Sequence, residues 1–174
     1  MTSDPSELAE QGKRAFQNKK FKEAAELFRE ASKGFTEGRS GLMAAEMDNN
    51  LSVALLQAGN PQGALEAALG TDEVFAGAKD VKRRAIAIAN QASALEALGS
   101  NDEAIAKYER AADLFAGIDE GDMRSIVLKS SAAIKLKTGR ITESAFKMIG
   151  SMDVKKNPSI FERIMRSLLR FIIK

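Results

Sequence analysis

The chain has 174 residues, 44% of them apolar and 29% charged, enough for one domain with a real core. Its 26 basic and 24 acidic side chains leave a formal charge of +2, too near neutral to point to a nucleic-acid partner by itself. With no Cys and no His, thiol chemistry, disulfides, Cys/His zinc sites and imidazole catalysis are excluded, while metal binding by carboxylates alone stays open. The start, MTSDPSELAEQ, has neither a basic n-region nor an apolar run, and no apolar stretch is long enough to span a bilayer. A cytoplasmic protein is the expectation.

In chain order, apolar periodicity predicts helices over 5–18 and 22–36, 41–58 and 62–76, 80–98 and 102–116, and 121–138 and 142–151, with a last one over 158–173. The joints inside successive pairs are short and polar: KKF, GNPQ, GSND and GRIT. Asn60 stands directly before Pro61, and Ser100 or Asn101 precedes DEA, both patterns that open a helix. The connections between pairs, KGFTEGRSGLMAAE, VFAGAKDVKRRAIA and LFAGIDEGDMRSIV, read as longer helix ends around a short Gly-containing bend. The last helix opens after Asn157-Pro158. Its stripe of Ile160, Ile164, Leu168 and Ile172, widened by Phe161, Leu169 and Phe171, suits a cap on the end of a stack.

A shift of 40 residues brings these pairs onto one another. Lys19, Gly59, Gly99 and Gly139 coincide, as do Ala24, Ala64, Ala104 and Ser144. Phe28, Ala68, Tyr108 and Met148 form a third set, Ala31, Thr71, Ala111 and Ser151 a fourth, and Phe35, Phe75 and Phe115 a fifth. The physical reading is a stack of helix hairpins. Gly takes the left-handed conformation that ends a helix, small residues let paired helices approach, and aromatics fill the wider gaps. One hairpin cannot bury its apolar face alone, so the fold needs the stack.

The stretch GKRAFQNKKFKEAAELFREAS places Gly12, Phe21, Ala24, Phe28 and Ala31 in a pattern that resembles the tetratricopeptide repeat. Later units supply Leu51, Ser52, Leu55, Gly59, Ala64 and Leu65, then Ala92, Leu95, Gly99, Ala104, Tyr108 and Ala111, and more weakly Ala132, Gly139, Ile141, Ser144 and Met148. The resemblance covers about residues 6–151, with a repeat of 40 in place of the usual 34. It implies an all-α fold, a right-handed superhelical stack of antiparallel hairpins closed by a C-terminal capping helix. As a single domain over 1–174, its repeats would run over 5–36, 41–76, 80–116 and 121–151, with the cap at 158–173.

The resemblance also implies a noncatalytic module that takes a peptide or partner helix in a groove lined by the first helix of each pair. Mapped onto this chain, the groove carries Lys13, Phe16 and Gln17 with Ser6 and Ala9, then Glu46, Asn49, Val53, Leu56 and Gln57. The third unit gives Ile86, Ser93, Ala89 and Glu96, and the fourth Lys129 and Lys137 with Ile126 and Ala133. One subgroup of the family grips a C-terminal carboxylate with Lys, Arg and Asn. Lys13 and Asn50 match two of its positions, but Ile86 and Asn90 stand where further basic groups belong, so that subgroup is not the leading reading. Asn50 and Asn90 recur at 40; they bond either a partner's main chain or a neighbouring helix, and the second reading is preferred.

The basic run Lys82, Arg83 and Arg84 suits an acidic partner or phosphates, but a solvated helix start is the simpler reading. In the tail, Lys155, Lys156, Arg163, Arg166, Arg170 and Lys174 face one Glu162, which fits an anionic membrane surface or a homodimer as well as a cap; the cap is preferred. Asp113, Asp119, Glu120 and Asp122 straddle a helix end and read as a solvated loop, which leaves a carboxylate-metal enzyme with little support. No catalytic residue, metal or cofactor is expected, and the expected partner is a protein or peptide.

Overall fold

The computed structural model describes residues 4–139. Among them every regular element is a helix: α1 (Pro5–Gln17), α2 (Phe21–Glu37), α3 (Gly41–Gln57), α4 (Pro61–Ala68), α5 (Thr71–Gly77), α6 (Val81–Leu98), α7 (Asn101–Ala116) and α8 (Gly121–Lys137). The chain divides into two compact units, 1–131 and 132–174. The helices predicted over 142–151 and 158–173, with Ile141, Ser144, Met148 and Ser151, lie outside the described residues.

Helix starts follow the side chains that can accept orphan N–H groups. Asp4 accepts from Ser6 N at 3.0 Å ahead of Pro5, Asn60 from Gly63 N at 3.0 Å ahead of Pro61, and Asp80 from Arg83 N at 2.9 Å. In the first unit α1 packs on α2, α2 on α3, α3 on α4 and α5, those two on α6, and α6 on α7. This is the stack of hairpins that the 40-residue periodicity predicts. Ala24, Ala64 and Ala104 are fully buried at the close approaches, and Phe28 and Tyr108 are buried in the wider gaps. Gly12 has the same logic: a Cβ there would stand 2.8 Å from Phe28 Cε1.

The joints obey a shorter period than the hairpins. Lys19, Arg39, Gly59, Lys79, Gly99, Asp119 and Gly139 all have positive φ, between 57° and 82°, and recur every 20 residues. After each of the first six, the next N–H reaches back five residues: Lys20 to Ala15 O, Ser40 to Phe35 O, Asn60 to Leu55 O, Asp80 to Phe75 O, Ser100 to Leu95 O and Glu120 to Phe115 O, at 2.8–3.0 Å. Both kinds of joint are therefore one left-handed helix stop. The bends between hairpins contain glycines as expected, but Gly38 and Gly117 keep right-handed φ of −75° and −70° while Arg39, Lys79 and Asp119 carry the strain. Left-handed backbone costs a residue with a Cβ about 1–2 kcal/mol. Gly99→Ala is thus expected to destabilise by about 1 kcal/mol and Lys79→Gly to stabilise by up to about 1 kcal/mol, opposite signs that urea unfolding reads. No atom lies within 4 Å of a Cβ added at Gly99, so its effect is backbone strain alone.

The helix predicted over 62–76 is two helices. Leu69 is extended (ψ 132°), and Gly70 is left-handed (φ 80°) as the N-cap of α5. The Ala68 carbonyl, cut off from its helical donor, instead accepts from Thr71 Oγ1 at 2.8 Å and Gln91 Nε2 at 3.0 Å. The break keeps the repeat length, so Phe75 still reaches the position of Phe35 and Phe115. Phe75 and Phe115 are completely buried.

Candidate functional site

The hairpin order sets α1, α3, α6 and α8 as the first helices of successive pairs, and a cleft of the first unit lies against α1 and α3. It is a cleft of about 310 Å³ lined by Lys13, Phe16 and Gln17 from α1, Phe28 from α2, and Glu46, Asn50 and Val53 from α3. The spacing follows from helix geometry. Lys13 and Gln17 are one turn apart, as are Glu46 and Asn50, with Val53 nearly a turn further on. Phe28 is buried, while Phe16 is half-buried and meets Phe21 edge-on, ring centres 5.3 Å apart.

The cleft's two charges differ in how they are held. Lys13 Nζ donates to Glu10 Oε1 at 2.7 Å on its own helix, which holds the Glu10 carboxyl below its usual pKa. Glu46 Oε2 lies 3.6 Å from Arg83 Nη1 of α6, and the same guanidinium is 3.5 Å from Asp80 Oδ2. The side chains of Gln17 and Asn50 have no hydrogen-bond partner among the described residues.

Other groove positions are placed elsewhere. Asn49 is buried; its Oδ1 lies 3.3 Å from Thr71 Oγ1 and accepts from Asn90 Nδ2 at 3.4 Å, which ties α3 to α5 and α6. Leu56 packs on the core of the first two hairpins, Ile86 is half-buried on α6, and Gln57, Lys129 and Lys137 are exposed. Ser93 Oγ donates to Ala89 O at 3.0 Å and lies 3.0 Å from the hydroxyl of Tyr108. That hydroxyl donates to Glu96 Oε2 at 2.8 Å. Burial foremost, with the Glu96 carboxylate adding to it, pushes the Tyr108 pKa up to about 12, so the phenol stays a neutral donor.

The basic run is spent between helices. Lys82 pairs with Glu120, Arg83 with Glu46 and Asp80, and Arg84 Nε is buried with no partner among the described residues. On α3, burial raises the Asp48 carboxyl above its usual pKa, opposed by a hydrogen bond from Ser32.

Sequence reasoning missed a buried polar network on α5, α6 and α7. Gln91 Nε2 donates to Asp72 Oδ1 at 2.9 Å as well as to Ala68 O, and Gln91 Oε1 accepts from Lys107 Nζ at 2.7 Å. Its signals were present: Thr71 stands where other units have Ala31 and Ala111, and Gln91 stands where the preceding unit has Leu51.

The arrangement is a stack of helix hairpins with a cleft against α1 and α3. Among the described residues no group of three or more acidic, His or Cys side chains is placed to hold a metal, and no helix is long and apolar enough to cross a membrane. The tetratricopeptide repeat family matches residues 10–73, a span that contains every residue of the cleft. Over that stretch the chain is similar to the tetratricopeptide repeat. No curated protein matches the chain.

Proposed function

We propose that the first unit binds a segment of another protein in the cleft between α1 and α3, and that the chain works as a noncatalytic interaction module. The observation that carries this is the pair of unpartnered carboxamides, Gln17 and Asn50, in one cleft with the apolar surfaces of Phe16, Phe28 and Val53. A carboxamide presents a donor and an acceptor together, which matches a peptide group of an extended chain. The aromatic and branched side chains supply the apolar contact that makes such a bond worth forming. The matched family supports the same reading, since its repeats are binding surfaces.

Gln17→Ala combined with Asn50→Ala tests it. Both side chains lie at the cleft and neither belongs to the buried core, so the helical signal and unfolding midpoint should stay near those of the parent. Capture of the partner from native lysate, scored by mass spectrometry against the parent bait, should be lost. Equal capture by the two baits would move the binding surface away from the cleft.

A further inference from the structure

Resting on that reading, we infer that the α1/α3 cleft selects a partner segment through a cationic side chain, a guanidinium above all, received by the Glu46 carboxylate. Three observations lead there. The first is the state of Glu46. Its side chain is only 30% exposed, and its nearest cation, Arg83 Nη1 at 3.6 Å, stands beyond hydrogen-bond length. Arg83 is also shared with Asp80 at 3.5 Å. A half-buried carboxylate held this loosely has lone pairs to offer and has already lost part of its hydration.

The second is the pairing of the charges. The cleft's charged side chains and the groups they pair with balance, Lys13 and Arg83 against Glu10 and Glu46, but the Lys13 pair is closed at 2.7 Å while Glu46 stands 3.6 Å from a guanidinium shared with Asp80. An anionic ligand would have to open the Lys13–Glu10 bond and approach Glu46. A cation meets neither obstacle.

The third is the company of the carboxylate. The free amide oxygens of Gln17 and Asn50 accept hydrogen bonds, and Phe16 presents a half-buried ring in the same cleft. A guanidinium has five donors in a plane, stacks on aromatic faces and is weakly hydrated, so it suits this mixture better than an ammonium.

Glu46 also ties α3 to α6 through Arg83, so an incoming guanidinium competes with Arg83 for the same oxygens. Removing Arg83 should therefore strengthen ligand binding, a result that a purely structural role for the ion pair does not produce.

The test uses the full chain, labelled with nitrogen-15, titrated with N-acetyl-arginine N-methylamide while the side-chain amide signals of Gln17 and Asn50 are followed by NMR. Saturable millimolar shifts are expected at both. The uncharged citrulline analogue should bind about tenfold more weakly, as should the arginine derivative to Glu46→Gln, since each removes the charge-assisted bond. Arg83→Gln should bind the arginine derivative a few-fold more tightly, and dispersed spectra report that each variant is folded. Equal binding of the arginine and citrulline derivatives would overturn the inference, as would unchanged binding by Glu46→Gln. If the glutamate analogue shifts those signals and the arginine derivative does not, the cleft still binds peptide groups and the cationic class falls. If no derivative shifts them, the cleft reading falls as well.

Discussion

Phe75→Ala is expected to lower the stability of the first unit by about 3–5 kcal/mol, the range for emptying a buried aromatic site. The Phe75 ring is completely buried and forms a cluster with Ala45 of α3 and Ala87 of α6. Those alanines are too small to close over the space the ring leaves. The residue also sits on a short helix, α5, which has few other buried side chains to hold it: Thr71 is the other. A typical domain is stable by only 5–15 kcal/mol, so the loss should be visible as a large fall in the urea midpoint, followed by circular dichroism. Phe35, the same position one unit earlier, is half-buried and should cost clearly less when truncated. A change below about 1 kcal/mol for Phe75→Ala would mean that the junction is not packed as described.

Gln91→Leu should cost about 2–3 kcal/mol, although it replaces a buried amide with an apolar side chain of similar size. The amide serves three partners: the Ala68 carbonyl at the α4/α5 break, Asp72, and Lys107. After substitution the Ala68 carbonyl keeps Thr71, but Asp72 and Lys107 lose this contact while half-buried. The loss therefore arises from stranded polar groups more than from the bond itself. Adding Lys107→Met to Gln91→Leu should cost less than the sum of the single changes, because the lysine would have no acceptor left to lose. Additive costs measured by urea unfolding would argue against a coupled network.

Much of this architecture was legible in the chain because the repeat is carried by residues with strong local meaning. Gly59 and Gly99 announced left-handed stops, Asn60-Pro61 announced a start, and Ala24, Ala64 and Ala104 marked close approach; each lies where those roles require. The bends between hairpins contain the expected glycines, but the glycines do not make the left-handed turn. The residues that turn there are Arg39, Lys79 and Asp119, whose identity says little about φ, and only their 20-residue spacing from the glycine stops gives them away. The split of 62–76 was hidden for a related reason. Leu69-Gly70 interrupts an apolar pattern that continues in phase on the other side, so periodicity alone reads through it.

At the site, helix periodicity was enough to bring Lys13, Phe16, Gln17, Glu46, Asn50 and Val53 to one cleft. It was not enough to separate Asn50 from its neighbour. Adjacent helix positions point about 100° apart, and Asn49 turns inward to Thr71 and Asn90 while Asn50 stays at the cleft. Which of two consecutive amides is buried depends on α5 and α6, whose placement depends on the break that the sequence pattern concealed. Lys82 and Arg83 escaped for a similar reason, since Glu120 and Glu46 are distant in the chain and become partners only in the stack.

The measurement that bears most directly on the central claim is site-specific photo-crosslinking in native lysate, with benzoyl-phenylalanine placed either at Lys13 at the cleft or at exposed Glu30 on α2. A partner adduct from position 13, absent from position 30 and lost when Asn50→Ala is added, is the predicted result. The same adduct from position 30 with none from position 13 would contradict it and place the binding surface elsewhere on the stack.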